Sequence, residues 1–428
     1  MGALVTTPTP LDIPARYRPL DEAALPTYLA RTPAAVALGG DPEGWGVREV
    51  GDGNLNLVWI VTGPQRGIVV KQALPYLRLV GEGWPLPLSR AHFEHLALRE
   101  AARHAPGRVP EILHYDDEMA LIAMELLEPH IILRHGMIRG IRYPGFAGHI
   151  ARFVARTTFF SSDLALSAHA KKEQMARFAA NTALCKITED LIFTEPYMVH
   201  ENNRWTSPQL DDMARAFRED GALKVAISEL KESFLCNAQA LIHGDLHTGS
   251  IMVTEKDTRV IDPEFAFFGP IGFDVGAVLA NLLLSYFSQP GHATPEDPRD
   301  AYAEWVLDQV EEVWRGFARE FRELWETAQT GDAYPGSLFA GDPDSRRQAQ
   351  DRYLERLLAD TLGFAGAKMV RRILGLAHNI DLEWIEDPDL RGRCERAALG
   401  LARQLVLERH RLTDIASVTQ AARASRLC

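Results

Sequence analysis

Residues 241–253, Leu-Ile-His-Gly-Asp-Leu-His-Thr-Gly-Ser-Ile-Met-Val, set a tight polar loop between two apolar runs, and Arg259-Val260-Ile261-Asp262-Pro263-Glu264 follows. Asp262 and Glu264 stand two residues apart. On an extended chain that spacing points both carboxylates to one side. Two hard oxygen donors so placed suit Mg2+, which keeps waters and substrate phosphates in its shell. Asp245, 17 residues earlier, is the group to act on the same metal-bound phosphate as a base. A hydrogen-bonded polar turn is the plainer alternative.

Two earlier features bear on the same chemistry. Gly51-Asp52-Gly53-Asn54-Leu55-Asn56 precedes a strand signal. Its glycines would let the backbone approach a phosphate, or simply make a hairpin turn. It is neither a full G-x-G-x-x-G nor a Walker loop, since Asn56 stands at the third glycine and no G-K-[ST] follows. Lys71 ends the β-branched run Val69-Val70 and emerges on the opposite strand face from its apolar neighbour. It reads either as an exposed lysine or as an ammonium for nucleotide phosphates. The second role needs a helix carboxylate to hold it, with Glu94 the first candidate and Glu100 the second.

These residues need elements to carry them. Leu55, Leu57, Trp59 and Val61 alternate along one strand, Gly63 to Gly67 reads as a five-residue hairpin loop, and Ile68 to Lys71 returns. Ala91 to Ala105 reads as a helix with Phe93, Leu96 and Ala97 on one face. A second strand pair brackets Asp116-Asp117-Glu118 and ends at Met124-Glu125-Leu126-Leu127. After Pro129 the pattern is mostly helical, over about residues 147–180, 208–240, 273–290, 298–328, 345–380 and 393–423. The expected architecture is α+β and bilobal, a small β-rich N-lobe over 1–127 and a larger, mostly helical C-lobe over 128–428. Ligands favour crevices between two such units.

Composition sets the outer bounds. The chain has 428 residues, 46% hydrophobic and 24% charged, with a formal charge of −12. That excludes wholesale disorder and argues against nucleic acid as the main partner. Cys185, Cys236, Cys394 and Cys428 are far apart and form no C-x-x-C pair, which fits a reducing compartment better than a disulfide scaffold or zinc site. No signal-peptide pattern opens the chain. The most apolar helical stretch, Ala277 to Phe287, contains Asn281 and is too short to span a bilayer. A cytoplasmic protein without membrane partners is expected.

Glycine loop, strand lysine, helix glutamate, H-x-D loop and metal aspartate follow the order found in protein kinases. H-G-D at 243–245 resembles the small-molecule form of that loop, as in aminoglycoside and choline kinases. G-D-G-N-L-N at 51–56, V-V-K-Q-A at 69–73, G-E-G-W-P at 81–85, H-G-D-L-H-T-G-S-I at 243–251 and D-P-E-F-A-F at 262–267 together closely resemble the 5-methylthioribose kinase family. So does Arg371-Arg372 followed by G-L-A-H at 375–378. The resemblance runs from about residue 45 to 380.

The resemblance implies a protein-kinase-like fold and ATP-dependent phosphorylation of the 1-hydroxyl of S-methyl-5-thioribose, in methionine salvage. It implies ATP and Mg2+ as cofactors and a homodimer. Gly53, Asn54, Lys71 and Glu94 would serve the nucleotide phosphates. Glu125, Leu126 and Leu127 would be the connection that binds adenine through backbone groups. Asp262 and Glu264, flanking Pro263, would bind metal. Asp245 would contact the sugar hydroxyl as base, with Arg371, Arg372 and Trp84 around the sugar. Asp274 would cap the catalytic loop from a helix start, and His247 would orient Asp245 or Ser250 or be purely structural.

Three other readings compete. A related kinase for an aminoglycoside, choline or homoserine is one, but Arg371-Arg372 suits a neutral sugar and an anionic product better than a cation. A two-metal phosphoesterase would share Gly244-Asp245-Leu246-His247, yet the chain holds no G-N-H. A non-catalytic kinase-fold protein would lack one of Lys71, Asp245 and Asp262, and all three are present.

Overall fold

The strand-forming run at Asn56–Thr62 pairs with Gly67–Ala73 across a loop of four residues, because Gly67 already faces Thr62 in the ladder. The computed structural model describes residues 12–51, 55–78 and 81–426. It divides into two compact units, one running through Glu128 and taking in Asp262–Phe265, the other holding Pro129–Ile261 and Ala266 onward.

In the first unit, helices α1 (Ala24–Leu29), α2 (Ala34–Leu38) and α3 (Arg90–His104) accompany β1 (Gly46–Glu49), β2 (Asn56–Thr62), β3 (Gly67–Ala73), β4 (Tyr76–Leu77), β5 (Gly81–Pro85), β6 (Ile112–Asp116) and β7 (Leu121–Glu125). Among the described residues, β1-β2-β3-β7-β6 form one antiparallel sheet, and β4-β5 a separate ribbon. Strand alternation decides what each face does. Trp59, Val61, Ile68 and Val70 bury against Leu25, Leu29 and Leu38. Lys71, one residue on from Val70, sits in register between Val58 and Ile122. Gln72 is fully buried; its amide donates to the Arg18 and Met119 carbonyls, and its oxygen accepts from the Leu20 N–H.

The second unit holds α4 (Leu133–Ile138), α5 (Phe146–Phe160), α6 (Ala168–Phe178), α7 (Thr182–Phe193), α8 (Asp211–Glu219), α9 (Gly221–Cys236), α10 (Ile271–Ser288), α11 (Asp300–Thr327), α12 (Pro343–Leu374), α13 (Ile380–Glu383), α14 (Pro388–Glu408) and α15 (Ile415–Ser425). Its strands are β8 (Ile131–Ile132), β9 (Ala240–Ile242), β10 (Ile251–Val253), β11 (Thr258–Val260) and β12 (Phe267–Gly269). Three expected long helices break. The 147–180 segment ends at Phe160, where the Ser161 and Ser162 hydroxyls take helix carbonyls, and α6 restarts on the Ser167 cap. Asp220 caps α9, and Asp414 caps α15. Short polar side chains compete for the backbone at all three breaks.

The apolar helix is longer than the sequence suggested. By length and composition the stretch Ile271–His292, 22 residues with mean hydropathy 1.5, could cross a membrane, but its helix Ile271–Ser288 is buried along its whole length. Its partner is α12. Gly272 and Gly276 face α12 so closely that a Cβ on Gly276 would lie 2.6 Å from the Thr361 carbonyl oxygen. This backbone-to-backbone approach fixes α12 against the start of α10.

Candidate active site

In the first unit, α3 brings two charges one turn apart onto one face, Arg90 and Glu94. Glu94 Oε2 lies 2.7 Å from the Lys71 ammonium, so the strand lysine pairs with the first candidate and not with Glu100. Asp262 also bonds Lys71, and Glu264 Oε1 lies 3.9 Å away. Glu264 Oε2 accepts from Asn56 Nδ2 at 3.1 Å and faces Arg90 Nε at 3.3 Å. Arg90, fully buried, also donates to the carbonyls of Leu55, Leu74 and Pro87 and to Asn56 Oδ1.

Burial alone would lower the Lys71 pKa, but Asp262, Glu264 and Glu94 outweigh it and hold the ammonium above the ordinary lysine range. Burial pushes the Glu94 and Glu264 carboxyls up against the pull of Lys71. Three carboxylates thus face two cations. Asp262 and Glu264 do not converge by the extended geometry expected from their spacing. β11 ends at Val260, and Asp262 is left-handed with φ 68°, a conformation aspartate tolerates better than most residues. Both carboxylates nevertheless reach the point marked by the Lys71 ammonium. Among the described residues no group of three or more His, Cys, Asp or Glu makes a metal cage. An open pair of hard oxygens fits a cation that takes its remaining ligands from water and phosphate.

In the second unit, the loop after β9 is held by α10. Asp274 accepts the His243 N–H at 2.6 Å and the Gly244 N–H at 3.0 Å, with Gly244 at φ 82°. The glycine lets the chain turn there. His243 Nδ1 accepts from the Asp245 N–H at 3.2 Å, which leaves its Nε2–H to donate to the Ile261 carbonyl at 2.9 Å. The Ser250 hydroxyl donates to the Asp245 carbonyl at 3.1 Å. Asp245 is thereby fixed at its backbone on both sides.

Its carboxylate is set by charge. Lys368 Nζ on α12 donates to Asp245 Oδ1 at 3.0 Å, and His247 Nε2 lies 3.4 Å from Oδ2. Burial would raise the Asp245 pKa, but Lys368, His247 and Arg372 hold it well below the usual carboxylate range. Burial lowers His247 to about 4, so it is neutral near pH 7 despite Asp245 beside it. Its Nδ1 accepts from the Gly249 N–H at 3.0 Å, which points Nε2–H at Asp245. His247 orients Asp245 and also meets the Ser250 hydroxyl at 3.2 Å.

Arg371 and Arg372 follow on the same helix. Arg371 Nε and Nη1 and Arg372 Nε are buried without a hydrogen-bond partner. Burial lowers both guanidinium pKa values, and Asp245 opposes that shift in each. Arg134 on α4 bonds Thr248 and Asn281 and lies 3.4 Å from Asp381, whose carboxyl burial raises to about 6. This site holds more buried cations than anions, the reverse of the cluster in the first unit.

The remaining expected site residues lie as follows. Gly53 and Asn54 fall outside the described residues. Trp84 is half-buried on β5, and Pro263 lies between the two carboxylates on the returning segment. The Glu125 N–H donates to the Glu111 carbonyl at 2.8 Å, so that group is already committed. Leu126 packs where a Cβ on Gly67 would touch it, and Leu127 is buried. Sequence reading missed Arg90, Asn56 as a side chain, Arg134, Asp381 and Lys368. Only Lys368 left a signal, since it stands three and four residues before Arg371 and Arg372 and therefore shares their helix face.

The phosphotransferase enzyme family matches residues 46–318. Among curated proteins, a methylthioribose kinase from Escherichia coli is 49% identical over 96% of this chain and 99% of its own. Methylthioribose kinase 1 from Oryza sativa subsp. japonica is 48% identical over 94% of each chain. A methylthioribose kinase from a Geobacillus species is 41% identical over 95% of this chain and 96% of its own.

Proposed function

The chain belongs to the methylthioribose kinase family, and from that membership we propose how its residues carry the reaction. The reaction moves the γ-phosphoryl group of ATP to the 1-hydroxyl of S-methyl-5-thioribose, giving ADP and the 1-phosphate, a step of methionine salvage. The observation that carries the chemistry is the Asp245 carboxylate, half-buried and kept ionised by Lys368 and its neighbours on a helix face of cations.

Asp245 accepts the proton of the 1-hydroxyl as that oxygen bonds the γ-phosphorus. The bond from phosphorus to the β–γ bridging oxygen breaks, and its electron pair leaves with ADP. Arg371 and Arg372, with Arg371 Nε and Nη1 and Arg372 Nε still without partners, take up charge on the transferred oxygens. Lys71, oriented by Glu94, serves the nucleotide phosphates together with Gly53 and Asn54. Asp262 and Glu264 would hold Mg2+, which when bound neutralises phosphate charge. Adenine binding falls to backbone groups along Glu125–Leu127, and Trp84 shields the sugar. Family resemblance also supports a homodimer working in the cytoplasm.

Incubating the purified protein with MgATP and methylthioribose should yield the 1-phosphate and equimolar ADP by mass spectrometry. Absence of that product while another sugar or an amino alcohol is phosphorylated would overturn the substrate assignment. Asp262→Asn should raise the Mg2+ concentration needed for half-maximal rate by about tenfold or more, since it removes a ligand and not the base. A Mg2+ titration superimposable on the parent's would remove Asp262 from the metal site.

A further inference from the structure

Lys368 has no part in the reaction as set out above, yet it is the group closest to the reacting carboxylate. It is 3% exposed at its side chain and 3.0 Å from Asp245 Oδ1. Its ammonium also lies over the Phe273 ring, 4.4 Å from the centroid. A buried ammonium needs such partners, since burial lowers its pKa and Asp245 is what opposes that shift. It stands on α12 one turn before Arg371 and Arg372, so the three cations line one helix face. Lys368 alone of the three is hydrogen-bonded to Asp245 among the contacts observed for them. The Gly276 approach to α12 fixes that face relative to Asp274, which holds the loop carrying Asp245.

Resting on the reading of Asp245 as base, we propose that Lys368 is a positioning residue for that base. By occupying Oδ1, with His247 Nε2–H toward Oδ2, it fixes the rotation of the carboxylate, leaves the open side of Oδ2 for the sugar hydroxyl and keeps the group charged before the proton arrives. Other charged or titratable groups face Asp245 from each neighbouring element. They are His247 on its own loop, Arg371 and Arg372 on α12 and Arg134 on α4, while Asp274 on α10 faces Lys368 and Asp381 on α13 faces Arg134 and Arg372. Those side chains act at longer range or, like His247, are neutral near pH 7. Loss of the Lys368 charge is therefore not made good by them.

The test is the pH profile of kcat at saturating MgATP and methylthioribose. Asp245 has a folded pKa below the ordinary carboxylate value, so its acid limb lies below the usual working range in the parent. Lys368→Met removes the charge and keeps an unbranched chain against Phe273. It should lower kcat by about 10²-fold at neutral pH and move the acid limb up by ~1–3 units, with KM for ATP unchanged. Lys368→Arg should hold the limb near its parental place. In an Asp245→Asn background, adding Lys368→Met should cost little more, because the two act as one unit. A uniform loss of kcat with an unmoved limb, or additive losses in the double variant, would assign Lys368 a structural role only. If the Met variant does not fold, Lys368→Gln, which keeps a neutral donor, is judged by the same criteria. Asp245→Asn with parental kcat would overturn the base reading itself. An inactive Asp245→Asn beside an unshifted Lys368→Met would overturn the positioning role alone.

Discussion

Asp245→Asn should fold like the parent and lose roughly 10²-fold or more in kcat, with ATP affinity changed far less. The substitution preserves size, and the backbone at 245 stays fixed by His243 and Ser250. What disappears is the negative charge that accepts the hydroxyl proton. In phosphoryl transfer the same group also positions the nucleophile, so the loss combines both contributions. Lys368 would face an amide oxygen in place of a carboxylate, and its already lowered pKa would fall further, so it can shed its proton instead of unfolding the helix. Single-turnover rates and nucleotide titration on the same preparation separate the two effects. Near-parental kcat would remove the base assignment while leaving the kinase family untouched.

Arg90→Met should be the most damaging single change to stability, costing about 3–5 kcal/mol. Arg90 is fully buried, ties three backbone carbonyls and Asn56 together, and stands against Glu264, itself 1% exposed. Methionine fills much of the volume but leaves the Glu264 charge with Asn56 and a lysine 3.9 Å away. Lys71→Met should cost less, because Asp262 is 43% exposed and can rehydrate. The Arg90→Met deficit should depend on pH in a definite direction. Burial already raises the folded Glu264 pKa, and losing Arg90 raises it further. The deficit is then smallest below the unfolded value near ~4.3 and grows as pH rises through the folded one. Urea unfolding at pH 5 and pH 8 measures this. An equal deficit at both would mean that Glu264 is not the group left uncompensated.

Local pattern made some of this visible in the sequence. The β2–β3 hairpin, α3 and the β6–β7 pair announce themselves by alternation and helical spacing, since each is decided by neighbours in the chain. The Lys71–Glu94 pair was legible for the same reason: a strand lysine opposite its apolar neighbour needs a carboxylate on the next helix. The breaks at Ser161–Ser167, Asp220 and Asp414 were not, because apolar periodicity runs through them and only side-chain capping stops the helix. The hold of Asn56 and Arg90 on Glu264 was also hidden. It joins positions 208 apart for Asn56, and no local rule sees such a contact. The extended-chain argument for Asp262 and Glu264 failed because a left-handed residue follows β11 and a strand does not continue.

The return of Asp262–Phe265 to the first unit has a consequence for how the chain is made. Everything else in that unit has left the ribosome by Glu128, but the carboxylate that neutralises Arg90 is still unwritten. On the order of ten seconds of translation separates the two. During that interval the nascent unit holds a buried guanidinium hydrogen-bonded only to backbone carbonyls and an amide, with Glu94 as its one nearby carboxylate and that one shared with Lys71, so it is a holding state and not a finished domain. Cutting the gene at the apparent boundary would make that interval permanent. A two-piece version of this protein should therefore assemble best when the segment through Phe265 is supplied with the second piece during folding of the first.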